Sequence, residues 1–308
     1  MQSSPEERYV IGARSTDVLL ADYGSEVAVV ITHPWGPLGG DMHNNVVSAL
    51  ALRFQKMEIT TLRLNFSGSQ IGGGKKEVEE VVHAANFLLD GSHLDHEMNN
   101  FSNDGSLIYS SERKTSGHSR APSGILLVGY SYGAFIAASA SAHIAKCIGA
   151  VSIAPPFKFQ KLLLMFNERH HNMLAHYKNS LPRLLIQGSS DNYTSVKDFE
   201  CNVQSYSAST TMAVVLENCD HFFRGTEDEV FETISDWLLL RFPSLEGQIE
   251  NLSKIDLYSV LQLNCPSIIP SVTLEDDGND TTKRGHLDNA FGHVEHLFHC
   301  GSSKNDIQ

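Results

Sequence analysis

The sequence is poor in positive charge. It has 23 Lys and Arg against 36 Asp and Glu, a formal net charge of -13 at pH 7. No basic patch with interleaved aromatics occurs. This speaks against nucleic acid or an anionic membrane as the main partner. Cysteine is sparse and unpatterned. Cys147, Cys201, Cys219, Cys265 and Cys300 are odd in number and widely spaced, and no C-x-x-C occurs. That pattern fits free thiols in a reducing, cytoplasmic compartment better than a disulfide framework. Cys147 and Cys219 lie in apolar context and read as small buried hydrophobes.

Long apolar runs are missing too. The segment Met1-Gln2-Ser3-Ser4-Pro5-Glu6-Glu7 is polar and acidic, so no secretory signal or transit peptide is expected. The richest apolar span, Gly124 to Pro156, is interrupted by Tyr130, Ser131, His143 and Lys146. A buried strand–helix–strand unit explains it better than a membrane span. Gly72-Gly73-Gly74-Lys75 lacks the spacing of a phosphate loop, so no nucleotide is expected. No internal repeat is present.

What is there is alternation. Val27 to Ile31 is a β-branched apolar run, the signature of a strand buried on both faces. Further strands are expected at Ile59–Leu64, Gly124–Val128, Ile148–Ile153, Arg183–Gly188 and Met212–Leu216. Helical spacing covers Asp41–Phe54, Lys76–Leu89 and about Glu229–Arg241, where Phe242-Pro243 closes the last helix. Arg8 to Leu20 reads as an opening hairpin. The pattern predicts an α/β fold, a mostly parallel central sheet with helices on both faces. The domain is expected to span residues 1–243. Residues 91–123 lack periodicity and read as a disordered insertion. Residues 244–308 read as a low-complexity, disordered tail, with a short helix possible at Ile255–Leu263.

Gly129-Tyr130-Ser131-Tyr132-Gly133 sits between the strand ending at Val128 and the small apolar run Ala134 to Ala138. A G-x-S-x-G between strand and helix reads as a nucleophile elbow. Its glycines permit a strained turn, and the turn lifts the Ser131 hydroxyl clear of the sheet. The N–H of Tyr132, at a helix N-terminus, is a candidate oxyanion donor. Acyl transfer by serine needs a base and an acid that orients it, in the chain order Ser, Asp or Glu, His. Asp191 follows a late strand, and His221 lies in the loop after the last one. Asp198 and Asp220 are competing acids. Alternatively, Asp191 is a turn or N-cap residue and His221 a packed loop histidine. A second oxyanion N–H is expected from the loop His33 to Gly40. Pro34 and Pro37 have none to give, which favours Trp35, whose indole could also wall the site. His33 reads as a group that orients this loop rather than one that reacts.

Other histidines are less pointed. His286, His293, His296 and His299 near Cys300 could bind a transition metal, but a solvated, weakly helical tail is the simpler reading. His170-His171 reads as a surface or lid feature. Phe157, Phe159, Leu162, Leu163, Leu164, Met165 and Phe166 either form a small lid facing the site or pack on the sheet.

These segments together resemble a known group, the small, capless α/β-hydrolases related to dienelactone hydrolase and the serine aminopeptidase-like hydrolases. Members carry H-P-H-P-x-x-G-G-x-M-x-N-K, R-F-N-F-R-G-x-G-x-S-x-G, G-F-S-F-G and D-H-F-F. Here the segments are His33 to Asn45, Arg63-Leu64-Asn65-Phe66-Ser67-Gly68-Ser69, Gly129 to Gly133, and Asp220-His221-Phe222-Phe223, with Ala154-Pro155-Pro156 after a strand. The resemblance covers about residues 8 to 242. It implies an α/β-hydrolase fold without a large cap, Ser131, Asp191 and His221 as triad, and Trp35 and Tyr132 as oxyanion donors. It departs at Trp35-Gly36, which replaces the second H-P pair, and at Ser67, where the family has Arg. The change at Ser67 removes a cation near the site and bears on the substrate more than on the triad.

The function expected is a serine hydrolase of a carboxylic ester or thioester, acting on a small-molecule acyl substrate with no cofactor and no metal. Two other readings remain. One is a non-catalytic binding or scaffold protein on the same fold, with the insertion and tail recruiting partners. The other is a peptidase-like hydrolase of amino-acyl amides, with Glu217 and Asp220 binding the substrate amine.

Overall fold

The protein is described here by a computed structural model, in residues 6–68, 70–95, 99–101, 107–109 and 120–242. The chain opens with an antiparallel hairpin, β1 (Glu7–Ile11) and β2 (Thr16–Ala21). Next come β3 (Val27–Thr32), α1 (Asn45–Lys56), β4 (Thr60–Asn65) and α2 (Lys75–Leu89). After α3 (Ser92–Asp95) lies a separate two-stranded ladder, β5 (Asn99–Phe101) with β6 (Leu107–Tyr109). The stretch 91–123, expected to lack structure, thus contains a helical turn and a short hairpin. Three-residue strands in a polar stretch offer no apolar alternation to read from sequence.

The chain then alternates again through β7 (Gly124–Tyr130), α4 (Tyr132–Ala140), β8 (Cys147–Ile153), α5 (Gln160–Leu163), α6 (Glu168–Tyr177), β9 (Arg183–Gly188), α7 (Val196–Val203), β10 (Thr211–Leu216) and α8 (Glu227–Arg241). One eight-stranded sheet results, in the order β1-β2-β4-β3-β7-β8-β9-β10. From β4 to β10 every neighbouring pair is parallel, and β2 meets β4 antiparallel. The tail helix expected at Ile255–Leu263, the tail histidines, Cys265 and Cys300 fall outside the described residues.

Period-2 alternation in the strands divides the core between the two faces of the sheet. On one face Val29, Ile31, Leu126, Val128, Val151 and Leu184 pack against α1 and α8. On the other Ala28, Val30, Leu62, Ile125 and Leu127 pack against α2 and α4. β7 is buried along its whole length, as a strand covered on both faces must be. α1 begins where the Asn44 side chain accepts the N–H of Val46, and Arg53 and Lys56 lie in its last turn, at the negative end of the helix dipole. α8 carries Glu227, Asp228 and Glu229 in its first turn and Arg241 in its last, so both of its ends complement the dipole. Both helices therefore have well-marked ends, and the loops beside them are those that carry the site.

Among the described residues no helix is long and apolar enough to cross a membrane. The free cysteines differ in setting. Cys219 is buried, Cys147 half-buried and Cys201 exposed.

Trp237 on α8 is fully buried in the first of these cores, with Phe242 edge-on to it at 6.0 Å. Truncation there leaves a cavity the close-packed sheet cannot refill. Trp237→Ala is expected to cost about 3–5 kcal/mol of stability, measured by denaturant unfolding. Trp237→Phe, which also deletes a buried indole N–H that has no described partner, is expected to cost far less.

Candidate active site

The elbow lies at the end of β7, the strand between β3 and β8 at the middle of the sheet. Ser131 takes φ 56° and ψ -119°, a conformation a non-glycine residue adopts only under constraint. The constraint is close packing on either side. A Cβ at Gly129 would lie 2.4 Å from the carbonyl oxygen of Gly133, and one at Gly133 would lie 2.7 Å from the carbonyl oxygen of His33. Only glycine fits at both positions, so the turn is as tight as the G-x-S-x-G pattern requires.

The structure brings Ser131, His221 and Asp191 together. Ser131 Oγ lies 2.9 Å from His221 Nε2, and His221 Nδ1 lies 2.7 Å from Asp191 Oδ2. With Nδ1–H donating to the carboxylate, Nε2 is the acceptor for the serine hydroxyl. The other carboxylate oxygen of Asp191 accepts the N–H groups of Tyr193 at 2.6 Å and Thr194 at 3.1 Å. The acid is therefore fixed in its own turn, and its side chain is wholly buried. The competing acids are engaged elsewhere. Asp198 accepts the hydroxyl of Ser195 at the start of α7, and Asp220 accepts the N–H groups of Phe222 and Phe223.

Aromatic side chains surround the imidazole. The Tyr193 ring lies 4.3 Å from that of His221, centroid to centroid. Phe159 meets Tyr193 at 5.8 Å, and Phe222 stands perpendicular to His221 at 5.6 Å. Below, the Tyr130 hydroxyl donates to the backbone carbonyl of His221 at 2.7 Å, which joins the elbow to the histidine loop. Tyr130 and Tyr193 were not identified from sequence. Tyr130 is a variable position of the motif, and nothing in the local pattern around Tyr193 marks a ring that will stack on a histidine 28 residues away.

On the other side of Ser131, the N–H of Tyr132 opens α4 and has no preceding helical turn to donate to. The N–H of Trp35 likewise donates to no described residue. The Trp35 indole is held in place. Its Nε1–H donates to the carbonyl of Gln70 at 3.2 Å, and its ring packs partly on the α2–α4 core.

His33 fixes the start of this loop. Its Nδ1 lies 2.6 Å from the carbonyl of Pro34, so Nδ1 carries the proton, and Nε2 accepts the N–H of Phe66 at 3.0 Å. Burial pushes its pKa down to about 4, against a smaller upward effect of the bond to Pro34. Arg63 and Asn65 grip the far end of the loop. Arg63 donates to the carbonyl of Met42 at 2.8 Å and pairs with Glu6, while Asn65 accepts the Met42 N–H at 2.9 Å. Asn45 reaches from α1 to the carbonyl of Phe222 at 2.8 Å, which ties this loop to the histidine loop.

Ser67, where a cation is expected from the resemblance, instead donates its N–H and its hydroxyl to Glu80. Glu80 and its neighbour Glu77 are buried, and burial pushes both carboxyl pKa values up.

Two expectations need correction. The seven apolar residues named between Phe157 and Phe166 do not form one face. Leu164 is buried, Phe157 and Leu163 pack against the core, and Leu162, Met165 and Phe166 are exposed, Phe166 by 76%. The segment breaks into a 3-10 turn, the single helical turn α5 and then α6, so no single periodicity aligns its apolar residues. His171 is not a surface residue. It is 2% exposed and bridges Ser139 Oγ and the carbonyl of Gly73, both at 2.7 Å, whereas His170 is exposed. No group of His, Cys, Asp or Glu among the described residues is arranged to hold a metal ion.

No protein-family model and no curated protein matches the sequence. Solved structures do. An α/β serine hydrolase homologue from Coxiella burnetii is 22% identical, with 76% of this chain and 96% of that one covered and a TM-score of 0.52. An α/β serine hydrolase without lid from Xanthomonas campestris is 19% identical over 76% and 94% of the two chains, TM-score 0.54. A Pyrococcus furiosus esterase is 14% identical over 77% and 92%, TM-score 0.56. Likeness at these identities establishes the fold. The chain has the α/β-hydrolase fold, with a mostly parallel eight-stranded sheet and no large cap domain among the described residues.

The tautomer of His33 gives a direct check. Long-range proton–nitrogen NMR is expected to show protonated Nδ1, bare Nε2 and no titration until about pH 4. Between pH 6.5 and about 4 the unfolded chain binds more protons at this residue than the folded one. Stability is therefore complete above 6.5 and falls as the pH drops to about 4, by on the order of 3 kcal/mol.

Proposed function

We propose that this protein is a serine hydrolase that cleaves a carboxylic ester or thioester through an acyl-enzyme intermediate. The observation that carries the reading is the unbroken hydrogen-bonded series from Ser131 Oγ through His221 to Asp191, beside two backbone N–H groups, of Trp35 and Tyr132, that donate to no described residue.

Ser131 attacks the substrate carbonyl while His221 Nε2 removes its proton. Asp191 keeps the imidazole in the tautomer whose Nε2 is bare and stabilises the imidazolium that forms. The N–H groups of Trp35 and Tyr132 receive the developing oxyanion, an interaction worth about 3 kcal/mol per donor. His221 then protonates the leaving alcohol or thiol. Water attacks the acyl group by the same route in reverse, with His221 first as base and then as acid. No step calls for a cofactor. The name of the Pyrococcus furiosus neighbour, an esterase, supports a small-molecule acyl substrate. The amide-cleaving alternative, with Glu217 and Asp220 binding the substrate amine, is the second reading; one Asp220 carboxylate oxygen already accepts the N–H groups of Phe222 and Phe223.

Labelling by a fluorophosphonate probe tests the reading. Wild-type protein is expected to label, and Ser131→Ala and His221→Ala are not. Asp191→Asn is expected to reduce turnover of a simple ester by about 10⁴-fold, because the imidazole loses its enforced tautomer. A folded wild type that resists labelling would overturn the proposal and favour the binding-protein reading.

Trp35 has φ -64°, the value proline imposes. Trp35→Pro therefore deletes the candidate oxyanion N–H at a backbone angle proline accepts. It is expected to lower kcat by about 10²–10³-fold, whereas Trp35→Phe, which keeps the backbone N–H, loses far less in the same ester assay.

A further inference from the structure

We propose that Gln70 is the positioning residue of the oxyanion loop, fixing which backbone N–H of that loop faces the serine and in what direction. The inference rests on the serine-hydrolase reading.

Between its ends, which His33, Arg63 and Asn65 hold, the loop after β3 is short of anchors of its own. Pro37, Leu38 and Gly39 are exposed, Leu38 by 71%. Its internal bonds, Leu38 N–H and Gly40 N–H to the carbonyl of Trp35, close the turn on itself without attaching it to the sheet. Attachment comes from Gln70. Its Oε1 accepts the N–H of Gly36 at 2.7 Å, and its backbone carbonyl accepts the indole N–H of Trp35 at 3.2 Å. Both the side chain of Trp35 and the peptide that follows it are thus held by one residue. With those two fixed, the orientation of the Trp35 backbone, and so the direction of its N–H, is fixed as well.

The contact is specific. A Cβ at Gly36 would lie 2.4 Å from Gln70 Nε2, so the amide lies against the bare Cα of a glycine. Gln70 is itself a firm support. It is 6% exposed and has φ 52°, a left-handed conformation that a glutamine keeps only when its surroundings impose it. The segment that carries it is fastened at both ends. Phe66 N–H donates to His33 Nε2 at 3.0 Å, Ser67 is bonded to Glu80, and the carbonyl of Gly73 accepts a bond from His171 at 2.7 Å.

A further consequence is selection. Gly36 carries the next N–H along the loop and would compete with Trp35 for an oxyanion. Its engagement by Gln70 removes it, which leaves Trp35 as the loop's donor. Gln70 touches no reacting atom and acts through Trp35 and Gly36.

The test is Gln70→Leu, which keeps bulk and removes the acceptor, beside Gln70→Glu, which keeps an acceptor for Gly36. Initial rates on a p-nitrophenyl ester would be combined with inhibition by an alkyl boronic acid, whose serine adduct mimics the tetrahedral intermediate. The low-field proton NMR signal of His221 Nδ1–H reports the triad separately. Gln70→Leu is expected to lower kcat about 10- to 100-fold, the range a misplaced catalytic group produces, with KM within about twofold. Boronate affinity is expected to fall in parallel, and the His221 signal to persist. Gln70→Glu is expected to keep the wild-type KM and recover part of the boronate affinity lost in Gln70→Leu. An unchanged kcat in folded Gln70→Leu overturns the proposal. Loss of the His221 signal, or a KM effect as large as the kcat effect, also overturns it, because the residue would then be holding the fold generally. A wild type that neither labels nor turns over overturns the serine-hydrolase reading itself, and this inference with it.

Discussion

The arrangement depends on one strained residue. Ser131, at φ 56°, is confined between Gly129 and Gly133, and Gly133 is confined by the end of β3. The backbone at the β7–α4 junction has no room to relax, since any Cβ at either glycine would meet main-chain atoms. Strain of this kind persists only where the surroundings over-determine it. Here they do so through the two central strands, β3 and β7, whose side chains fill both cores. Hydrophobic burial across the sheet therefore sustains a serine conformation that is unfavourable in isolation. Because Thr32 and His33 press on Gly133, the same packing sets the start of the loop that carries Trp35.

Around that fixed point the site is assembled by hydrogen bonds between loops rather than within them. Tyr130 of the elbow holds the histidine loop, and Asn45 at the start of α1 holds it from the other side. His33 joins the loop after β3 to the loop after β4, where Gln70 returns the contact. Each loop alone is a surface segment with backbone groups that would otherwise go to water. Together they satisfy one another, which lets a site made of loops have definite geometry.

This distinction also marks what could be read from the sequence. The strands of the eight-stranded sheet and the helices α1, α2 and α8 were legible because burial on a sheet or a helix face writes a period into the residues, as in Val27 to Ile31 or Val78, Val81 and Ala85. Ser131, Asp191 and His221 were legible as candidates because each follows a strand in a fixed chain order. Gln70, Tyr130 and Tyr193 were not. Their contacts run between segments about 34, 91 and 28 positions apart, and no local pattern encodes a partner at that distance. The segment from Phe157 to Tyr177 failed for another reason. It passes from a 3-10 turn into α5 and is broken again before α6, so its apolar residues alternate between core and solvent with no single period. The buried pairing of His171 with Ser139 and Gly73 was hidden in the same way.

Three buried ionisable groups, His33, Glu77 and Glu80, share one tendency. Burial lowers the pKa of His33 and raises those of Glu77 and Glu80, so all three are driven toward their uncharged forms. The serine at position 67 fits this setting. A cation there would pair with Glu80 and favour its charged form, whereas Ser67 supplies only neutral donors. On the proposed mechanism, an oxyanion forming at Ser131 meets fixed backbone dipoles, from Trp35 and the first turn of α4, rather than a mobile counter-charge. Dipoles held in place need no reorganisation as charge develops, and in a water-poor site they act at lower dielectric than in solvent. The value of such a site lies in how rigidly the dipoles are aimed, which is why the hydrogen bonds that fix His33, Trp35 and Gly36 bear on chemistry as much as on folding.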